Sequence, residues 1–170
     1  MPTGVHLERT YPHPPEAVWH ALTDPRAIAE WLMPPTDFKL EVGHRFQFHT
    51  EPRGNFKGVV DCQFLTIDAP RVLMYSWRGG PECPADHPTV VSWTLTPIEG
   101  GTKVQFAHTG FTGLPGFIIG KLILGPGWAK MLRGSLRDAI ARWNDPAYAA
   151  NPTWGPAQCD EPGWRRPARS

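Results

Sequence analysis

Residues 128–143, WAKMLRGSLRDAIARW, restrict what this chain can become more than any other stretch. Trp128, Leu132, Leu136, Ala139, Ile140 and Trp143 recur at three- and four-residue spacing, so they share one face of a helix. Lys130, Arg133, Arg137 and Arg142 lie largely off that face. The pattern predicts one amphipathic helix, closed by Asn144, Asp145 and Pro146. Such a helix needs an apolar partner. Most of the chain before it reads as short alternating strands whose apolar faces need a cover, so the two requirements answer each other in an α+β domain.

A chain of 170 residues suits one domain, burying about two thirds of its unfolded surface. We read residues 1–146 as that domain and 147–170 as a tail rich in proline, partly packed or disordered, with Trp154 seated on the domain surface. The 17 Lys and Arg against 16 Asp and Glu leave a formal charge of +1. That balance argues against the basic stripe of a nucleic-acid surface. The start, MPTGVHLERTYPH, lacks the basic and apolar regions of a secretory signal. The most apolar run, residues 117–124, is broken by Gly120 and Lys121 and is too short to span a membrane. Cys62, Cys83 and Cys159 form neither a zinc spacing nor a disulfide framework. A cytoplasmic location is the expectation.

Along the chain, residues 5–11 alternate as a first strand, stopped at His13-Pro14-Pro15. Val18, Trp19 and Leu22 then repeat at helical spacing. Asp24 as N-cap and Pro25 as first residue open a second short helix over 26–32, with Ile28, Trp31 and Leu32 on its apolar side. From Phe38 the period becomes two, through Phe38, Leu40, Phe46 and Phe48. Strands follow over 57–67, 71–77, 89–96 and 102–109, with a Gly/Pro/Asp-rich excursion over 79–88. Val91, Trp93 and Leu95 share one face, and Val104, Phe106 and His108 another. Residues 117–124 form either a short packed helix or part of a lid over an interior opening.

Several pieces, in their order, resemble a known family. They are Pro15, Val18, Trp19, Leu22, Thr23, Pro25 and Trp31 at the front, then Trp93, Gly101-Thr102, His108-Thr109-Gly110-Phe111, Gly127-Trp128 and Leu132. The sequence resembles the activator-of-Hsp90-ATPase homologue 1-like family of the START-like, or polyketide cyclase/dehydrase-like (SRPBCC), superfamily. The resemblance implies a helix-grip fold of the Bet v 1 kind. A curved antiparallel sheet would wrap around a long C-terminal helix, and two short helices would follow the first strand. Leu32 stands where a second tryptophan is frequent in the family.

The candidate ligand-binding set is Trp31, Phe46, Phe48, Tyr75, Trp77, Trp93, Phe106, His108 and Trp128. These large side chains can line an apolar pocket for a small hydrophobic or aromatic molecule, or can simply fill a core. Met74 and Tyr75 face opposite ways on a regular strand, so at most one of them faces the pocket unless a bulge intervenes. His108 is the best catalytic candidate, as a general base or a hydrogen-bond partner for a ligand oxygen; the bland reading is a histidine bonded within the protein. Arg78 and Glu30 are either surface groups or guards of a cavity mouth, and Asp61 belongs on the solvent face. His6, His13, His20, His44, His49 and His87 show no metal spacing, and neither a phosphate loop nor a serine-hydrolase elbow occurs. No metal or cofactor is expected. Three functions fit this reading: a hydrophobic-ligand binder, a cyclase or dehydratase using His108, and a chaperone-regulating or other interaction domain. Homodimerisation is compatible with each.

Overall fold

Alternation in seven strands decides which face of the sheet is buried. The computed structural model describes residues 4–52, 57–79, 88–111 and 124–150. The strands are β1 (Gly4–Tyr11), β2 (Pro35–Thr36), β3 (Arg45–His49), β4 (Val59–Asp68), β5 (Val72–Arg78), β6 (Thr89–Ile98) and β7 (Gly101–Thr109). They pair antiparallel in the order β1-β7-β6-β5-β4-β3-β2. Buried and exposed residues alternate along β5, β6 and β7 as the two-residue period requires. At the β6–β7 turn Gly100 takes a φ of 78°, which a residue with a Cβ rarely adopts.

Two short helices follow β1: α1 (Pro15–Thr23) and α2 (Pro25–Trp31). Asp24 caps α2 as expected, accepting a bond from the Arg26 amide at 2.8 Å, with Pro25 at the first turn. The Arg26 guanidinium closes on the same carboxylate and lies 4.9 Å from the centre of the Trp143 ring. Burial alone would raise the Asp24 pKa, but the bonds from Arg26 and the nearby charges of Arg26 and His20 outweigh it and hold the carboxyl below its usual range.

The sequence-based expectation of one continuous C-terminal helix is corrected. There are two, α3 (Gly125–Arg133) and α4 (Ser135–Trp143), joined at Gly134 with φ −117° and ψ −86°. Glycine is the weakest helix former after proline, and tertiary bonds flank the break. The Tyr11 hydroxyl of β1 donates to the Leu132 carbonyl at 2.7 Å, and the Ser135 hydroxyl donates to the Trp31 carbonyl at 3.0 Å. The apolar stripe survives the bend: Trp128, Leu132, Leu136, Ala139, Ile140 and Trp143 are all buried.

A second correction concerns residues 38–40, which form no strand. Asp37 turns the chain with a φ of 54°, Phe38 packs edge-on against Phe46 and Phe64, and Leu40 is exposed. The alternating phase was real for Phe46 and Phe48, but Phe38 reaches the same cluster from a loop. After α4, a short helix α5 (Pro146–Ala150) sets Tyr148 edge-on to Trp143 at 5.4 Å. The expectations for residues 117–123 and for Trp154 lie outside the described residues, as does most of the 79–88 excursion.

Candidate functional site

Strand register brings the expected aromatic residues together. Strand β5 turns Leu73, Tyr75 and Trp77 inward, β6 turns Thr89, Val91 and Trp93, and β7 turns Val104, Phe106 and His108. Across the ladders Trp77 faces Thr89, Tyr75 faces Val91, Val91 faces His108 and Trp93 faces Phe106. Strand β3 adds Phe46 and Phe48, α2 adds Trp31, and α3 adds Trp128. All nine residues singled out in the sequence are buried, seven on the inner face of the sheet and Trp31 and Trp128 on helices. Met74 is only partly buried and points the other way, so Tyr75 is the inward member of that pair.

The rings form a continuous contact path. Phe46 stands 5.9 Å from Tyr75, and Phe48 lies 5.8 Å from Trp77. Trp77 meets Trp128 at 5.6 Å, and Trp128 meets Phe106 at 4.5 Å. Trp93 joins Phe106 at 4.6 Å and Trp31 at 5.6 Å. The prevailing tilted and edge-on geometries are those that aromatic quadrupoles favour.

His108 is 0% exposed, and both its ring nitrogens are engaged within the protein. An indole N–H can only donate, so Trp128 Nε1–H gives its proton to His108 Nδ1 at 3.1 Å. That acceptor role leaves the proton of the neutral ring on Nε2, which faces Thr89 Oγ1 at 2.7 Å. The Thr89 hydroxyl in turn donates to the Trp77 carbonyl at 3.1 Å. Indole, imidazole, hydroxyl and carbonyl thus make one directed chain. Desolvation by burial lowers the His108 pKa from 6.5 to about 3, so the ring is neutral near pH 7. As a general base it would first have to release Trp128.

Tyr75 behaves differently. Its hydroxyl oxygen accepts a bond from Trp93 Nε1–H at 3.2 Å. Among the described residues no acceptor takes the phenolic proton. Burial pushes the phenol pKa well above its ordinary value, so the group stays a donor.

The other polar candidates leave this face. Asp61 is exposed and accepts a bond from Gln47 at 2.6 Å, as the solvent-face reading expected. Arg78 is also exposed, opposite Asp61 in the β4–β5 ladder, and lines an outer-face groove with Arg45 and Gln63. Glu30 is buried but faces the helices. Its carboxylate binds Arg142 at 3.0 Å and accepts the Tyr148 hydroxyl, tying α2 to α4 and α5. Sequence reasoning passed over Thr89, although it shares the phase of Val91 and Trp93. It also passed over Phe64, which stacks on Phe46 at 4.5 Å, and Phe111, which lies 4.8 Å from His108. Phe64 was legible from the alternation Val60, Cys62, Phe64; Phe111 follows the strand and had no periodic signal. Among the described residues no group of three or more His, Cys, Asp or Glu could hold a metal ion.

The Activator of Hsp90 ATPase homolog 1-like protein family matches residues 12–141. The chain belongs to that family. Its START-like superfamily membership and helix-grip architecture are those expected from the sequence. Protein MLL2253 from Mesorhizobium loti, of known crystal structure, is 36% identical over 82% of this chain and 97% of its own, with a TM-score of 0.70. CalU16 from Micromonospora echinospora shares 23% identity over 86% of this chain and 79% of its own, at a TM-score of 0.61. DynU16, from the dynemicin biosynthetic locus, shares 21% over 85% of this chain and 48% of its own, at 0.64. At those identities the last two support the fold alone. No curated protein sequence gives a significant match. Among the described residues no helix of this family member is long and apolar enough to cross a membrane.

Proposed function

We propose that this family member binds a small hydrophobic or aromatic molecule between the inner face of its sheet and helices α2 and α3. The observation that carries the reading is the gathering of Trp31, Phe46, Phe48, Tyr75, Trp77, Trp93, Phe106 and Trp128 in one buried cluster. Apolar surface of this kind supplies affinity without a charge to neutralise, and a few polar atoms fix orientation. The binding unit in this reading is residues 1–146, acting in the cytoplasm without a cofactor, metal or nucleic-acid partner, and 147–170 is an appended tail.

The geometry gives less support to a cyclase or dehydratase built on His108, whose two nitrogens already serve Trp128 and Thr89. It also gives less to an interaction domain. Among the described residues the exposed large apolar ones are Leu40, Val42, Leu65 and Ile98, and the last lies at the far end of a separate hairpin from the others. Native mass spectrometry of the purified protein, compared with its denatured mass, tests the proposal. Extra mass of an organic molecule, lost on denaturation, is expected. If none is carried and no aromatic probe binds at micromolar to millimolar concentration, the reading fails.

A further inference from the structure

Resting on that binding role, we infer that the Tyr75 hydroxyl selects the ligand, and that the ligand is a neutral, mainly apolar ring compound bearing an acceptor oxygen, of the ketone, quinone or ester class. Three observations meet here. Tyr75 is 4% exposed and stands amid Phe46, Phe48 and Phe64. Its oxygen already accepts from Trp93, which fixes the hydroxyl, while its proton has no acceptor among the described residues. A buried donor left unspent costs free energy, and a ligand oxygen that takes the proton recovers it.

Several neighbouring polar groups do not compete for that role. Trp31 Nε1–H donates to the Ala21 carbonyl, and Trp128 donates to His108. Thr89, Thr102 and Ser135 give their hydroxyl protons to the carbonyls of Trp77, His13 and Trp31. His108 has both nitrogens engaged. Among the hydroxyls of Thr89, Thr102, Ser135 and Tyr75, it is Tyr75 that keeps its proton to offer.

Charge sets the rest of the class. The buried ionic residue among those described is Glu30, whose carboxylate is held by Arg142 and Tyr148 on the helical side. A ligand carboxylate or ammonium on the aromatic face would meet no counter-ion among the described residues, and a buried unpaired charge is far more costly than a neutral dipole. A carbonyl oxygen accepts from the phenol and asks for nothing more.

The test titrates three probes of one shape into the full-length protein, following tryptophan fluorescence: 2-ethylnaphthalene, 2-acetonaphthone and 2-naphthoate. The wild type should bind the ketone roughly 2- to 10-fold more tightly than the hydrocarbon, the span of one net neutral hydrogen bond, and the anion most weakly. Tyr75→Phe should bring the ketone-to-hydrocarbon ratio to about one while keeping hydrocarbon affinity. Trp93→Phe, which keeps the Tyr75 donor, should retain the preference. A ketone preference that survives Tyr75→Phe overturns the role of Tyr75 and leaves the binding role standing. Tightest binding of naphthoate overturns the neutral class. Failure of all three probes overturns the binding role beneath both. Should Tyr75→Phe not fold, the carbonyl stretch of the ketone bound to wild type decides: a downshift from its value in alkane is expected, and an alkane-like frequency overturns the inference.

Discussion

Replacing His108 with leucine should change the pH dependence of stability in a defined way. The wild-type ring is held neutral in the folded state, with its pKa lowered from 6.5 to about 3 by burial. Its folded pKa therefore lies below the unfolded one. As pH falls below 6.5 the unfolded chain takes up a proton that the native state refuses, so stability declines until about pH 3. Between pH 7.5 and pH 5 this one residue should remove about 2 kcal/mol, equivalent to a fall in Tm of about 4–8 °C for a chain of this size. The rings and hydroxyl against His108 come from Trp77, Thr89, Phe111 and Trp128, none of which changes charge in that range. His108→Leu abolishes the effect but leaves the Trp128 indole N–H buried without its acceptor, at about 1–3 kcal/mol. The variant should thus be clearly weaker at pH 7.5, and the gap should close near pH 5. Urea unfolding followed by tryptophan fluorescence at pH 7.5, 6.5, 5.5 and 5.0 measures both curves. Every side chain other than residue 108 is common to the two proteins, so the difference between the curves isolates its contribution. Parallel curves for the two proteins would refute the buried, neutral assignment.

Arg142→Ala removes the partner of a Glu30 carboxylate that is 5% exposed, whereas Arg142 itself is 47% exposed. Solvent screening on the arginine side reduces the loss, which should be roughly 1–3 kcal/mol, and a double-mutant cycle with Glu30→Gln should show coupling. Gly101→Ala would put a methyl group onto the Tyr11 carbonyl, where β1 pairs with β7. Backbone cannot yield there as a flexible side chain would, so a loss of about 1–3 kcal/mol is expected, read by thermal denaturation with circular dichroism. Neither substitution touches the inner-face rings, so probe binding should persist in the folded fraction.

Local chemistry made much of this protein legible in the linear sequence. A two-residue period places Tyr75, Trp77, Trp93, Phe106 and His108 on inward phases, because side chains on a strand must alternate. The Asp24-Pro25 start of α2 and the buried stripe from Trp128 to Trp143 follow from equally local rules, capping and helical spacing. Family resemblance supplied the helix-grip topology, which periodicity alone does not encode. The tertiary structure decided what depends on partners distant in sequence. It bent the C-terminal helix at Gly134, where bonds from Tyr11 and to Trp31 compete with a regular helical path. It brought Phe38 into the core from a loop, and it turned Glu30 into a clamp across three helices. Above all, it separated His108 from Tyr75. Both look like polar residues on an apolar phase, but a hydrogen-bonding capacity is spent or kept only by what stands beside it in space. Trp128 and Thr89, 20 and 19 residues away along the chain, spend that of His108, while Trp93 occupies the Tyr75 oxygen and leaves its proton.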